Sequence, residues 1–281
     1  MRIQHNSRVK SLMRLVLDNF NAPPGALRVS IALIYGILCH TAFVFAVMAM
    51  ITAMYFGMSK SLGAIPHPWS IMANLFLLIQ FPIMHSVLLS RRGSQFLIKL
   101  APFGYGKTLA TTTFALIASV QLAALFILWT PSEIIWWQAE GSQFAAILTL
   151  YAASWLLLVW ASFDAGPEVQ SGALGWMSLV QRIKPVFPDM PTQGLYKVIR
   201  QPIYLAFALT TWTVPVWTPD QLCLAIVLTI YCLSAPLLKE KRFSLRFGKR
   251  FTSYQTSVPY MLPRMLFASR GKCIIDKDLN K

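Results

Sequence analysis

Apolar residues in this chain come in runs of about twenty, separated by short polar or charged stretches, the pattern of helices that cross a bilayer. Six runs stand out: Leu27–Met58, Trp69–Leu89, Leu109–Trp129, Phe144–Phe163, Ile203–Trp217 and Leu222–Leu238. The first is long enough to tilt or to extend beyond the hydrocarbon. The fifth is short and contains Pro215, so it is expected to pair with the sixth as a tight helical hairpin turning at Thr218-Pro219-Asp220. The expected fold class is all-α, a polytopic bundle of about six spans.

Ahead of the first run, residues 1–26 read as an amphipathic arm. Val9, Leu12, Met13, Val16 and Phe20 recur at helical spacing, with Arg8, Lys10 and Arg14 elsewhere around the helix, and Pro23-Pro24-Gly25 ends it. Such a helix suits the surface of an anionic leaflet. Residues 27–163 then form a four-span region, residues 164–264 a second region containing a polar loop up to Arg200 and the hairpin, and residues 265–281 a basic tail.

Composition agrees with this division. The chain is 281 residues long, 56% hydrophobic and 12% charged, far more apolar than a soluble domain. Its net charge of +15 invites a nucleic-acid reading until the basic residues are placed. Counting Arg28 with the arm, Lys and Arg number 5, 1, 4, 0, 4, 0 and 11 in the successive segments between runs, so rich segments alternate with poor ones. The positive-inside rule then gives six spans with both termini in the cytoplasm, as in a multi-pass protein of a bacterial inner membrane, and accounts for the charge without nucleic acid. The first run is too long for a signal-peptide core and lacks a small-residue cleavage pattern, so it is expected to stay in the chain. Cys39, Cys223 and Cys232 lie in apolar runs and Cys273 in the tail, without C-x-x-C spacing, which indicates neither a disulfide framework nor a zinc site.

Several short motifs compete for a function. Phe103-Gly-Tyr-Gly-Lys-Thr108 looks like the end of a phosphate-binding loop, but Ala101 stands where the first glycine belongs and no strand precedes it. Trp136-Trp137 reads as an interfacial aromatic belt. His85, inside the second run, faces protein or a cavity by default, because an ionisable group in lipid is expensive; it is either a satisfied structural histidine or a catalytic group.

The densest cluster is Gly194 to Leu205, with Tyr196, Arg200, Gln201, Pro202 and Tyr204. Pro202 suits the first turn of a helix, whose free backbone donors and dipole favour an anion near Arg200. An interfacial anchor is the plainer reading of the same residues. After the sixth run come Lys239-Glu240-Lys241-Arg242, then Phe247-Gly248 and Tyr254, then Val258-Pro259-Tyr260. A hairpin would bring these segments back beside Arg200.

From Gly194 to Arg264 the chain resembles the integral-membrane methyltransferases of the isoprenylcysteine carboxyl methyltransferase type, whose signature is Arg-His-Pro-x-Tyr-x-Gly, a hairpin, Glu-Glu, a Phe-Gly-x-x-Tyr-x-x-Tyr-like segment and Val-Pro. Asn74-Leu-Phe and His85-Ser86-Val87 also resemble the bacterial branch with methanethiol S-methyltransferases and NnrU-like proteins. The resemblance implies S-adenosylmethionine as cofactor, held by Tyr196, Arg200, Gln201, Pro202, Tyr204, Glu240 and Tyr254, with His85, Arg200 and Glu240 as catalytic candidates, and a small or lipophilic thiol or carboxylate as methyl acceptor. Four positions depart from it: Gln201 replaces the histidine, Ala206 the glycine and Lys239 the first glutamate, and Leu237 stands where related sequences place an arginine. A membrane oxidoreductase of sterol-reductase-like shape and a non-catalytic descendant of the same scaffold are the competing expectations.

Overall fold

The computed structural model describes residues 2–263, and side-chain surroundings from residue 10 onward. The basic tail and Cys273 therefore lie outside the described residues. In chain order the helices are α1 (Arg2–Leu17), α2 (Ala26–Tyr55), α3 (Trp69–Leu88), α4 (Arg91–Leu100), α5 (Gly106–Ile127), α6 (Gly141–Ala165), α7 (Pro167–Gln170), α8 (Ala173–Val180), α9 (Pro202–Trp212), α10 (Pro219–Phe247) and α11 (Lys249–Ser257). Two-residue strands, β1 (Trp137–Gln138) and β2 (Val216–Trp217), pair antiparallel.

Five of these helices, α2, α3, α5, α6 and α10, are long and apolar enough to cross a membrane. Their outward faces carry large apolar side chains such as Phe45, Phe76, Leu156 and Ile230, more than half exposed, as lipid contact requires and water would penalise. The chain is thus a polytopic helical bundle.

The fifth expected run departs from a simple span. At about 1.5 Å per residue, α9 is roughly 16 Å long, about half the hydrocarbon thickness. The chain continues beyond Trp212 in non-helical form, and its backbone groups find partners in the β1 ribbon: Trp136 N donates to Trp217 O at 2.9 Å and Ala139 N to Pro215 O at 2.8 Å. Trp136-Trp137, expected as a lipid belt, thus also closes this end of the hairpin. Thr218 caps α10 by accepting from Gln221 N at 3.0 Å, and Gln221 Nε2 returns to Thr211 O at 2.7 Å, locking the turn. From there α10 runs about 43 Å, some nine residues past Leu238, and so carries Lys239, Glu240 and Arg242 on a rigid helix instead of a loop.

The expected polar loop from Asp164 to Arg200 is only partly a loop. Its first half folds back as α8, which packs on α2 and α5 beside the overlong end of α2. Gly175 permits the approach, since a Cβ there would lie 2.5 Å from Thr112 Oγ1, and that hydroxyl donates to Gly172 O at 2.7 Å. Arg28 donates to the last carbonyls of α8, at 2.6 Å for Leu179.

Two buried clusters hold the bundle. One, around Met54, Leu78, Phe126, Tyr151 and Leu224, lies toward the β1–β2 end. The other, around Ile31, Leu109, Leu179 and Val180, lies toward the end with the basic segments. The glycines at 104 and 106 have structural reasons: Gly104 has a φ of +75°, and a Cβ on Gly106 would lie 1.8 Å from Ile98 O, so that glycine lets the chain cross α4 closely. That is a sufficient reason for the phosphate-loop-like stretch, which no strand precedes here.

Candidate functional site

Gly194 opens the site. Its φ of +58° is one that side-chain-bearing residues rarely adopt, and a Cβ there would lie 2.1 Å from Asp164 Oδ2. The space is used by the buried Asp164 carboxylate, which accepts from Leu195 N at 2.8 Å and ties the end of α6 to the turn carrying Tyr196. Arg200 and Gln201 follow outside any helix, and their N–H groups donate to Pro259 O at 2.9 Å and Tyr260 O at 3.2 Å. Pro202 then starts α9 at its first turn.

The hairpin does return the chain to its starting side. Arg200 Nε donates to Glu240 Oε1 at 2.8 Å, across 40 residues of sequence, and a second guanidinium nitrogen reaches Glu240 Oε2 at 3.4 Å. The remaining terminal nitrogen donates to the carbonyls of Gln255 at 2.9 Å and Val258 at 2.6 Å. Glu240 also accepts from Gln201 Nε2 and Gln255 Nε2, each at 2.8 Å. The Glu240 carboxylate on α10 therefore ties Arg200 and Gln201, just ahead of α9, and Gln255 on α11 through charge-assisted bonds, and Arg200 in turn ties the Val258–Tyr260 segment. Tyr260 stacks below Arg200, 5.5 Å from ring centroid to guanidinium carbon.

Tyr254 completes this cluster by donating its hydroxyl to Tyr196 O at 2.6 Å. Burial pushes that hydroxyl well above its ordinary value, with Arg200 opposing and Glu240 adding, so it remains a proton-bearing donor. Little space is left among these residues, about 10 Å³, which is room for one water at most.

Space lies immediately beside it. A cavity of about 530 Å³ opens among α2, α3, α5, α9 and α10, with mostly apolar walls. Tyr204, Lys239, His85, Tyr231 and Arg242 share its lining, and Lys239 belongs to both the cavity and the polar cluster. His85 packs against Phe114 and Phe81, and its Nδ1 is buried without a hydrogen-bond partner among the described residues.

The structure thus brings Tyr196, Arg200, Gln201, Pro202, Tyr204, Glu240 and Tyr254 to one place, and puts His85 across the adjoining cavity. Gln255, Tyr260, Phe243, Tyr231 and Arg242 belong to the same constellation and were not named as site residues from the sequence. For the last two a signal existed: Tyr231, Lys239 and Arg242 are eight and three residues apart, one face of a helix.

No family model and no solved structure matches the chain. Curated proteins do. The chain is 30% identical over 199 residues to a methanethiol S-methyltransferase of Pseudomonas deceptionensis, covering 70% of this chain and 74% of that one. It is 29% identical over 195 residues to methanethiol S-methyltransferase 1 of Bradyrhizobium diazoefficiens, covering 69% and 67%. To a methanethiol S-methyltransferase of a Pseudomonas species it is 26% identical over 243 residues, covering 83% and 90%. With its five long apolar helices, the chain is a membrane methyltransferase. It belongs to the integral-membrane methyltransferase family of the methanethiol S-methyltransferases.

Proposed function

We propose that this chain moves a methyl group from S-adenosylmethionine to a thiol or carboxylate acceptor, small or lipophilic, at the cytoplasmic side of a bacterial inner membrane. The observation that supports it best is the junction at Lys239, where the Arg200–Glu240 cluster meets a bundle cavity of about 530 Å³. A donor site and an acceptor site for one displacement need that adjacency.

The residues of the cluster fit the donor's chemistry. Arg200 suits its carboxylate, Glu240 its ammonium or a ribose hydroxyl, and Tyr196, Tyr204 and Phe243 offer ring faces for a cationic sulfur. Gln201 stands in for a histidine by both donating, to Glu240, and accepting, from Lys239 at 3.3 Å. Since Glu240 already occupies Arg200 and about 10 Å³ remains, a donor carboxylate would reach Arg200 by displacing Glu240.

When bound, the donor supplies a sulfonium methyl whose carbon–sulfur bond breaks with its electron pair leaving on the donor sulfur. The protein aligns the acceptor, keeps water out and, for a thiol, takes its proton. His85 is proposed to take that proton on its unpartnered Nδ1. A carboxylate acceptor needs no such transfer.

Tritium-labelled S-adenosylmethionine and purified full-length protein in detergent test the reading directly, with methanethiol, the acceptor named for the relatives, as first acceptor. Saturable donor binding and labelled thioether are expected. Absence of saturable donor binding in the parent protein would overturn it.

A further inference from the structure

Lys239 is one residue from Glu240 yet is not its ion partner. Arg200, Gln201 and Gln255 take the Glu240 carboxylate, and among the described residues no acid lies within ion-pair distance of Lys239 Nζ. The ammonium is held instead by ring faces, with centroids at 5.6 Å for Tyr196, 5.7 Å for Tyr204 and 5.5 Å for Phe243, and by the Gln201 amide oxygen at 3.3 Å. Arg242, three residues on and so on the same helix face, lines the same cavity, again with no acid in ion-pair range among the described residues.

Glu240 is bonded to Arg200, so among the described residues Lys239 and Arg242 stand without an ion partner of their own at one end of a cavity whose walls are otherwise largely apolar. Withdrawing a cation from water is unfavourable unless an anion meets it, and ring faces recover only part. The shape and the charge together describe a ligand with an anionic head and an apolar body. Methanethiol, roughly the size of two waters at about 30 Å³ each, would leave most of this cavity empty.

Resting on the reading of this cavity as the acceptor site, we propose that Lys239 is its specificity-determining residue. It holds the anionic head of an amphiphilic acceptor, a thiolate or carboxylate, while the apolar body fills the cavity and Arg242 adds charge at the same end.

The test is equilibrium binding, independent of methyl transfer. Full-length protein in detergent is loaded with 11-(dansylamino)undecanoate, and decanoate and decanol compete for its fluorescence. Decanoate should displace the probe at least tenfold better than decanol from the parent protein. Lys239→Met should abolish that preference while leaving decanol within about twofold, Lys239→Arg should keep it, and Lys239→Glu should reverse it; Lys239→Gln substitutes for Met if that variant does not fold. Equal displacement in the parent, failure of the probe to bind, or a preference that survives Lys239→Met would each overturn the inference. Methanethiol turnover on the same preparations reports separately on the proposed function: loss of turnover with the decanoate preference intact condemns that function and leaves the anion site standing.

Discussion

Arg200 and Glu240 meet at 2.8 Å because the hairpin returns α10, at Glu240, to the depth at which α9 begins, and the Gln255 and Val258 carbonyls join them. Both side chains are about nine-tenths buried, so the pair is a clasp more than a surface ion pair. Arg200→Ala would strand the carboxylate and release the Gln255 and Val258 carbonyls together. We expect it to lower stability by about 3 kcal/mol and to weaken S-adenosylmethionine binding. Denaturant titration in detergent and donor calorimetry measure the two; a variant as stable as the parent would show that the clasp does not hold the hairpin.

Gln201 is almost wholly buried and bridges Glu240 and Lys239. A neutral histidine also has one donor and one acceptor nitrogen. Gln201→His is therefore expected to keep donor affinity within about tenfold, roughly 1.4 kcal/mol. Calorimetry on parent and variant in one detergent decides it, and binding seen only in the variant would mean that the parent has lost the donor.

His85 is expected to matter for thiols alone. If its Nδ1 accepts the thiol proton, His85→Gln should lower transfer to a thiol by about 100-fold or more and leave donor binding unchanged. Transfer to a carboxylate acceptor should be spared. Equal losses with both acceptors would assign His85 to the cavity wall only.

Gly194 is a test of the turn. Gly194→Ala forces a side chain into positive φ and against Asp164, displacing the acceptor of Leu195 N. A loss of about 1–3 kcal/mol is expected, with weaker donor binding because Tyr196 follows directly. An unshifted unfolding midpoint would exclude this role.

Orientation follows from charge and can be read by labelling. Single cysteines at Lys60 and Glu140 should react with an impermeant reagent from outside intact cells, and one at Lys99 should not. Labelling at Lys99 under those conditions would invert the topology.

Which segments are long and apolar enough to cross a membrane is a local property: twenty apolar residues must leave water wherever they stand, and Lys and Arg resist crossing. Hence α2, α3, α5 and α6 end within three residues of the apolar runs, while α10 runs nine residues beyond its own at the polar end. The signature around Arg200 was legible for the same reason, as residue types in a fixed order. What Arg200 touches was not. Its expected partner was a ligand carboxylate, whereas Glu240 fills that place, since an arginine on a buried hairpin end takes the nearest anion that packing offers. The shortness of α9 depended likewise on a distant partner, because only a ribbon from β1 can satisfy backbone that leaves the helix near the hydrocarbon. The cavity too was a product of packing: His85 on α3, Tyr204 on α9, and Lys239 with Arg242 on α10 are far apart in sequence, and only three helices at set distances make them one wall. Sequence pattern determined which segments are apolar enough to enter the membrane; the tertiary structure decided which charges meet there, because those meetings join residues far apart in the chain.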